Sequence, residues 1–293
     1  MASLKEIRTR ISSVKTTRQV TSAMKMVSAA KLKKAQNAIL QIRPYADKLH
    51  EILSSLSGSL ENSEESVFTQ QRSPEKVLIV LISSNRGLCG AFNSSIAKTA
   101  YELASSKYAK QFKSGQLDFF TVGKQGQKYL KSRKIPVSDQ ADEIFDALTY
   151  DTCSDLATIL MNDFVSGKYD RIELVYNQFK NAAVQICTKE QFLPVEISEE
   201  DDMSATNSHF IYEPSKEQIV EELIPKSLKV QIFKALLDSN AAEHGARMTA
   251  MHKATDNATD LIHDLTLTFN KARQAAITNA ILEVTNGAEA LNG

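Results

Sequence analysis

The chain has 293 residues, of which 42% are hydrophobic and 24% are charged, a balance typical of globular proteins. Its 35 Lys and Arg residues equal its 35 Asp and Glu residues, so no net field favours nucleic acid or a membrane surface. Cys89, Cys153 and Cys187 stand in no metal-binding or redox spacing, which fits a reducing compartment, and no apolar run is long enough to predict a membrane span.

The first 60 residues predict one long helix. They contain no glycine before Gly58 and a single proline, Pro44, which removes one helical hydrogen bond and predicts a kink. A helix of this length would run about 80 Å at its rise per residue. One set of positions follows alternating spacings of three and four, the seam of a left-handed coiled coil: Leu4, Ile7, Ile11, Val14, Arg18, Thr21, Lys25, Ser28, Leu32, Ala35, Ile39, Ile42, Ala46, Leu49, Leu53 and Leu56.

Residues 75–195 predict an α/β domain. The continuous apolar run Val77–Ile82 is typical of a strand buried on both faces. Strands and helices then alternate, which predicts a mostly parallel sheet with an antiparallel edge. The further predicted elements are a helix at 94–112, a strand at Leu117–Val122, a helix at 125–133, a strand at 135–137, a helix at 154–165, and strands at Arg171–Phe179 and 183–192 joined by a turn at Lys180 and Asn181.

Residues 210–293 predict a second long helix, after an acidic connection at 196–207. Its seam has the same alternating spacing: Val230, Phe233, Leu237, Ala241, His244, Met248, Met251, Thr255, Ala258, Ile262, Leu265, Phe269, Ala272 and Ala276. Both helices are far longer than the radius of gyration of about 19 Å expected for a compact chain of this size. We therefore predict an α + α/β fold, in which a long antiparallel coiled coil of the N- and C-terminal helices protrudes from an inserted Rossmann-like α/β domain.

The motifs that could carry chemistry are weak. The loop from Asn85 to Gly90 follows the first strand, where such folds bind phosphate, but it matches neither glycine-rich phosphate motif and lacks the phosphate-binding lysine. The Gly123–Gly126 stretch fails the same comparison. Cys89 has no histidine in the α/β domain to activate it. We favour a tight turn without a ligand, and predict no catalytic or cofactor-binding residue.

A metal site in the coiled coil is also disfavoured. Asp260 and His263 have the spacing of a helical-bundle metal ligand pair, but the N-terminal helix offers few matching carboxylates. The sequence favours a solvated acidic stripe formed by Asp256, Asp260 and Asp264, and predicts no bound metal.

Residues 1–34 carry nine basic side chains and one acidic side chain, Glu6. This basic stripe could be a solvated face, a nucleic-acid surface or a contact for an acidic protein. Residues 1–44 contain no aromatic side chain for base stacking, which disfavours nucleic acid.

Several long segments resemble the γ subunits of F-type ATP synthases. They are LKEIR at 4–8, TSAMKMVSAAK at 21–31, RGLCG at 86–90 with Asn93, EHGARM at 243–248, ATDNA at 254–258 and NKARQAAIT at 270–278. The resemblance covers essentially the whole chain. It implies a non-catalytic central-stalk rotor that transmits torque between the proton-driven c-ring and the catalytic β subunits. The implied partners are the α and β subunits of the α3β3 ring, the ε subunit and the c-ring, with no nucleic acid.

The resemblance also implies partner contacts. Met24, Lys25 and Lys31, with Arg86 and Cys89, would lie near an acidic lever loop of β. Arg273 and Gln274 would contact another β loop, and Ile277 and Ile281 belong to a mostly apolar tip held in an apolar bearing. Phe210 and Tyr212 lie in a segment that would approach ε and the c-ring. The short start at Met1 suggests a bacterial form, peripheral to the membrane on the cytoplasmic face of the inner (plasma) membrane.

Two rival functions stay open from the sequence. The α/β domain could be a nucleotide-binding catalyst with a coiled-coil handle, which predicts ATP binding by the isolated chain. The coiled coil could instead grip RNA or DNA through residues 1–34, which predicts affinity that falls steeply with salt.

Overall fold

The computed structural model describes residues 3–57, 67–195 and 216–292. It contains two compact units: one is formed by residues 29–247, and the other by residues 1–28 together with 248–293. Two long helices, α1 (Leu4–Ser57) and α6 (Lys216–Asn292), contribute to both units. None of the helices in the described ranges combines the length and apolarity needed to cross a membrane.

The unit of residues 29–247 is built on a five-stranded sheet in the order β3-β2-β1-β4-β5. Its strands are β1 (Val77–Ile82), β2 (Leu117–Val122), β3 (Asp139–Gln140), β4 (Arg171–Phe179) and β5 (Gln185–Leu193). The first four are parallel and β5 pairs antiparallel with β4. This arrangement confirms the mostly parallel sheet with an antiparallel edge.

Helices cover both faces of this sheet. The remaining elements are α2 (Phe92–Ser106), α3 (Ala109–Ser114), α4 (Lys124–Ser132), a 3₁₀ turn at Glu143–Phe145 and α5 (Tyr150–Val165). All six side chains of β1 are buried, alternately in two apolar clusters. One cluster includes side chains of α2 and α4, and the other includes side chains of α5 and α6. Each fully buried Leu, Ile or Phe contributes about 1.5–3 kcal/mol.

Within this unit α1 and α6 run antiparallel. Arg43 of α1 bonds to Asp238 of α6, whereas the earlier α1 residue Lys31 acts electrostatically on the later α6 residue Glu243. The predicted seam is buried here through Leu32, Ala35, Ile39 and Leu49 of α1 and Leu237, Ala241 and His244 of α6. The α/β sheet inserted between paired terminal helices confirms the predicted fold class.

The unit of residues 1–28 and 248–293 is a helix pair. Ile7, Thr21 and Ser28 of α1 and Met251 and Ala258 of α6 are buried, and the hydroxyls of Thr21 and Thr255 are 2.8 Å apart. The polar seam position Thr21 is therefore paired across the two helices. From residue 273 to residue 288 every side chain of α6 is exposed.

Two predicted elements were wrong. The helix expected at 94–112 is divided into α2 and α3, because the chain turns at Lys107 and Tyr108 to place both side chains on the buried carboxylate of Glu173. The strand expected at 135–137 does not form. Pro136 has no N–H to donate to a ladder, so pairing with β2 begins later, when Ser138 donates to the Phe119 carbonyl.

Candidate functional site at the carboxyl edge of the sheet

The sheet order identifies where a ligand would bind in a fold of this type. Strand β1 lies between β2 and β4, and the chain adds β2 and β3 on one side before it adds β4 on the other. In open α/β sheets ligands bind outside the carboxyl ends of the strands at such a switch point. The loop at 83–91 after β1 and the hairpin at 180–184 after β4 border this crevice.

The chain's own helix α6 occupies this crevice. Ala242 of α6 is fully buried and packs with Cys89 and Phe92. Next along the helix, Gly245 approaches the hairpin so closely that an added Cβ would lie 3.2 Å from both the Cα and the carbonyl oxygen of Ala182. Glycine favours this close approach of two backbones, because a Cβ here would require the hairpin to shift by a few tenths of an ångström.

Arg247 closes the crevice with its guanidinium group. Nη2 donates to the carbonyl oxygen of Arg86 at 3.0 Å and to that of Gly87 at 3.3 Å, and Nη1 donates to Glu243 Oε1 at 2.5 Å. The loop after β1 thus turns two carbonyl oxygens toward the crevice. Carbonyl dipoles attract a cation and repel a phosphate, so this loop is built to hold Arg247.

The same loop is fixed internally by a polar cluster. Asn93 accepts from the Ser84 N–H at 3.0 Å through Oδ1 and donates to Cys89 Sγ at 3.1 Å through Nδ2. Ser84 Oγ donates to the Arg86 carbonyl at 2.7 Å. Burial raises the pKa of the Cys89 thiol, which keeps it protonated and makes it a poor nucleophile.

The second glycine-containing turn also has a packing role. Gly123 has φ +99°, and a Cβ there would lie 2.4 Å from the Ser83 carbonyl oxygen. The Gly126 N–H donates to Ser83 Oγ at 2.8 Å. Both glycines let the start of α4 lie directly on the end of β1.

Charged groups around Arg247 perturb one another. Burial raises the pKa of Glu243, against the opposing influence of Arg247, Lys31 and Arg86. Burial lowers the pKa of His244 to about 4, with Arg247 and Lys31 adding to the effect. At neutral pH the His244 ring is therefore uncharged.

The predicted contact residues differ in accessibility. Lys31 and Arg86 are exposed, Met24 and Lys25 are half-buried, and Cys89 is only 2% exposed. Arg273, Gln274, Ile277 and Ile281 are all exposed on α6, with Ile281 at 61%. Phe210 and Tyr212 lie outside the described residues, as do the connection at 196–207 and the segment at 209–214.

The structure draws attention to two residues that the sequence analysis did not single out. Arg247 was visible only as part of the EHGARM segment, and its partners are carbonyl oxygens, which leave no signal in a sequence. Leu88 combines a left-handed φ of 62° with 66% exposure. In the sequence it was visible only as part of the RGLCG segment, between two turn glycines.

The described ranges contain no group of three or more His, Cys, Asp and Glu side chains placed to hold a metal ion. Asp256, Asp260, His263 and Asp264 are exposed, and His252 Nδ1 lies 3.3 Å from Asp256 Oδ2.

The similarity of this chain to known proteins extends over nearly its whole length. A family model described as ATP synthase matches residues 3–291. The chain is 57% identical to the ATP synthase gamma chain of Flavobacterium psychrophilum and 50% identical to that of Cytophaga hutchinsonii, in each case over the full length of both proteins.

Among solved structures, the central stalk and c-ring of the Tetrahymena thermophila mitochondrial ATP synthase contains a chain with 26% identity and a TM-score of 0.58, covering 80% of this chain and 99% of that one. A chain of the Euglena gracilis mitochondrial ATP synthase shares the fold at a TM-score of 0.69 and 21% identity, covering 98% of this chain and 94% of that one. By its full-length match to the family model and to curated relatives, this chain belongs to the ATP synthase gamma chain family.

Proposed function

We propose that this chain is the central-stalk rotor subunit of an F-type ATP synthase. It carries torque between a c-ring and the catalytic β subunits and performs no chemistry by itself. The observation that carries the proposal is the 57% identity to a gamma chain over the entire length of both proteins. The filled crevice at the carboxyl edge of the sheet supports it, because α6 and Arg247 occupy the place where a Rossmann-like enzyme would bind its nucleotide.

The exposed part of α6 supports a bearing role for residues 273–288. Ile277, Ile281, Leu282 and Val284 are each more than half exposed, an apolar surface that would be covered in an assembly. Arg273 and Gln274 precede it and would make polar contacts with a β loop. Lys31 and Arg86 would meet the acidic lever loop of β with modest, screened charge interactions, which allow the shaft to turn.

The domain division is part of the proposal. Residues 1–60 and 210–293 form the shaft, and residues 75–195 form a foot that joins ε and the c-ring, with Phe210 and Tyr212 in the foot contact. The complex would hold the chain peripherally at the cytoplasmic face of the bacterial inner membrane.

Reconstitution tests this function. The full chain is combined with the α, β and ε subunits and with vesicles that contain the complete membrane sector and stator of an ATP synthase, and proton pumping is measured on addition of ATP. We expect copurification with α and β, and pumping that requires this chain. Failure to copurify, or ATP turnover by the isolated chain, would refute the proposal.

A further inference from the structure

Helix α6 is held against the sheet by a broad apolar contact. Ile224, Leu228, Ile232 and Leu236 of α6 are all at most 4% exposed and belong to the same cluster as β1, β4 and α5. Apolar contact resists separation but has no preferred direction. The interdigitated side chains of this stripe already resist rotation of the helix, and directional bonds add to that resistance because they tolerate only a narrow range of angles.

One guanidinium group supplies such bonds between three elements. Arg43 Nη2 of α1 donates to Asp238 Oδ1 of α6 at 3.2 Å and to the Phe179 carbonyl oxygen at the end of β4 at 3.3 Å. Residue 179 is also the last residue before the hairpin that contacts Gly245. Arg43 thus bonds α1 both to α6 and to the end of β4 at one point.

The surroundings of this junction are polar and ordered. Asp238 has a side chain that is 0% exposed, whereas the Arg43 side chain is 38% exposed. Tyr176 of β4 donates to Glu190 Oε2 of β5 at 2.8 Å, and Gln231 of α6 donates to Glu190 Oε1 at 2.6 Å. A second directional connection from α6 to the sheet therefore lies two helical turns away.

An ion pair with one fully buried partner, such as Asp238 here, is a poor way to gain stability. Its desolvation offsets most of the attraction, and well-packed apolar replacements are often as stable or more stable. What the pair adds is a fixed geometry, because the bonds exist at one rotational setting of the two helices.

We propose that the Arg43–Asp238 pair, with the Phe179 carbonyl, is the torsional joint that passes torque between the α/β domain and the two helices. Arg43 and Asp238 are positioning residues: they touch no nucleotide and act by fixing the rotation of the shaft relative to the sheet. This inference rests on the proposed rotor function.

The experiment uses the assembled complex of this chain with α and β subunits, fixed by its ring. A bead is attached to the α/β domain through Ser105→Cys, at an exposed position on α2. With the catalytic sites stalled, the angular spread of the bead reports torsional stiffness. In parallel, the same complex on vesicles that contain the complete membrane sector and stator of an ATP synthase reports protons pumped per ATP hydrolysed. The variants are Asp238→Asn and the double variant Arg43→Met with Asp238→Leu. The control is Glu102→Gln, which neutralises an exposed carboxylate paired with Lys98 at 3.6 Å.

The double variant separates a mechanical role from a structural one. We expect it to melt at or above the wild-type temperature and to support wild-type ATP hydrolysis. Its angular spread should widen roughly twofold, because the bonds that join α1, α6 and β4 at one point are lost while packing and the contacts of Gln231 and Arg247 remain, and pumping per ATP should fall. Asp238→Asn should show the same changes to a smaller degree, and Glu102→Gln none.

If the double variant had the angular spread and the pumping of the wild type, the proposal of a torsional joint would be overturned. If the double variant does not assemble, the angular spread of Asp238→Asn is used instead. This variant keeps the side-chain shape and the Oδ1 acceptor but removes the charge, and a wild-type spread would again overturn the proposal. A wild-type chain that does not bind α and β would instead defeat the proposed function, which is a separate result.

Discussion

Arg247 donates hydrogen bonds to the carbonyl oxygens of Arg86, at 3.0 Å, and of Gly87, at 3.3 Å, so the loop after the first strand encloses a cation of its own chain. This relationship separates the fold from the enzymes that share its sheet. A phosphate-binding loop must present N–H groups to its ligand, whereas this one presents oxygens. The α/β domain is thereby fastened to α6.

Loss of Arg247 should be costly. Arg247→Ala leaves the carboxylate of Glu243 buried and unpaired, and removal of one partner from such a pair costs about 3–5 kcal/mol. Urea unfolding of the full chain measures the loss. The double variant Glu243→Gln with Arg247→Met should recover most of it. Lys98→Ala, in an exposed pair, should cost at most about 1 kcal/mol. Equal effects of Arg247→Ala and Lys98→Ala would contradict the role of Arg247 in fastening α6 to the loop after β1.

His244 should make stability depend on pH in acid solution. Its folded pKa of about 4 lies below the ordinary value of 6.5, so the unfolded chain binds the proton first as pH falls. The contribution of His244 is fully present above pH 6.5 and is lost between there and about pH 4.

The opposite sign applies to Glu243. Because its folded pKa is raised above 4.5, its contribution is present below that pH and is lost as pH rises through the folded value. The two effects oppose each other, so the His244→Gln variant isolates the histidine. We expect the wild type to lose more stability than His244→Gln between pH 7 and pH 4, by about 1–3 kcal/mol. Parallel pH profiles of the two proteins would show that His244 is not desolvated.

The close approach at Gly245 predicts a contrast between two helical glycines. Gly245→Val forces a side chain against the Ala182 backbone, which a Cβ alone would meet at 3.2 Å, and should destabilise the chain by about 1–3 kcal/mol. Gly287 has open space around its Cα, so Gly287→Val should be neutral or slightly stabilising. Thermal melting of both variants checks this. A neutral Gly245→Val would mean that α6 does not contact the hairpin.

The exposed apolar residues of α6 should matter for assembly and not for folding. Ile281→Ala removes a side chain that is 61% exposed and should change unfolding free energy by less than about 0.5 kcal/mol. Ile39→Ala, at a seam position only 3% exposed, should cost about 2–5 kcal/mol. In a pull-down with α and β subunits, Ile281→Ala should reduce the retained chain. If a variant that combines Ile277→Ala and Ile281→Ala is retained as well as the wild type, the bearing role proposed for residues 273–288 is refuted.

Periodic features could be predicted from the sequence because they repeat. The described seam positions of α1, from Leu4 to Leu49, are all buried or half-buried, and β1 has the predicted ends. A repeat of 3.5 residues or a run of six apolar residues records burial directly. The sequence also predicts a tight turn after β1, but it does not show that Gly123 and Gly126 pack on Ser83.

Contacts between distant segments leave no such record. Arg43 and Asp238 are 195 residues apart in sequence, and Arg247 and Arg86 are 161 apart, with a main-chain acceptor in the second case. Neither pairing follows from spacing, because it depends on how the sheet meets the helices. The edge strand was misplaced for a local reason: Ile135 is buried as a strand residue would be, but Pro136 prevents pairing.

The most direct test of the rotor is to watch the chain turn. The complex with α and β subunits is fixed by its ring, and a bead on Ser105→Cys of the α/β domain is followed as ATP is added. The proposed function predicts unidirectional rotation that stops when ATP is removed. A bead that stays still while the complex hydrolyses ATP would contradict it.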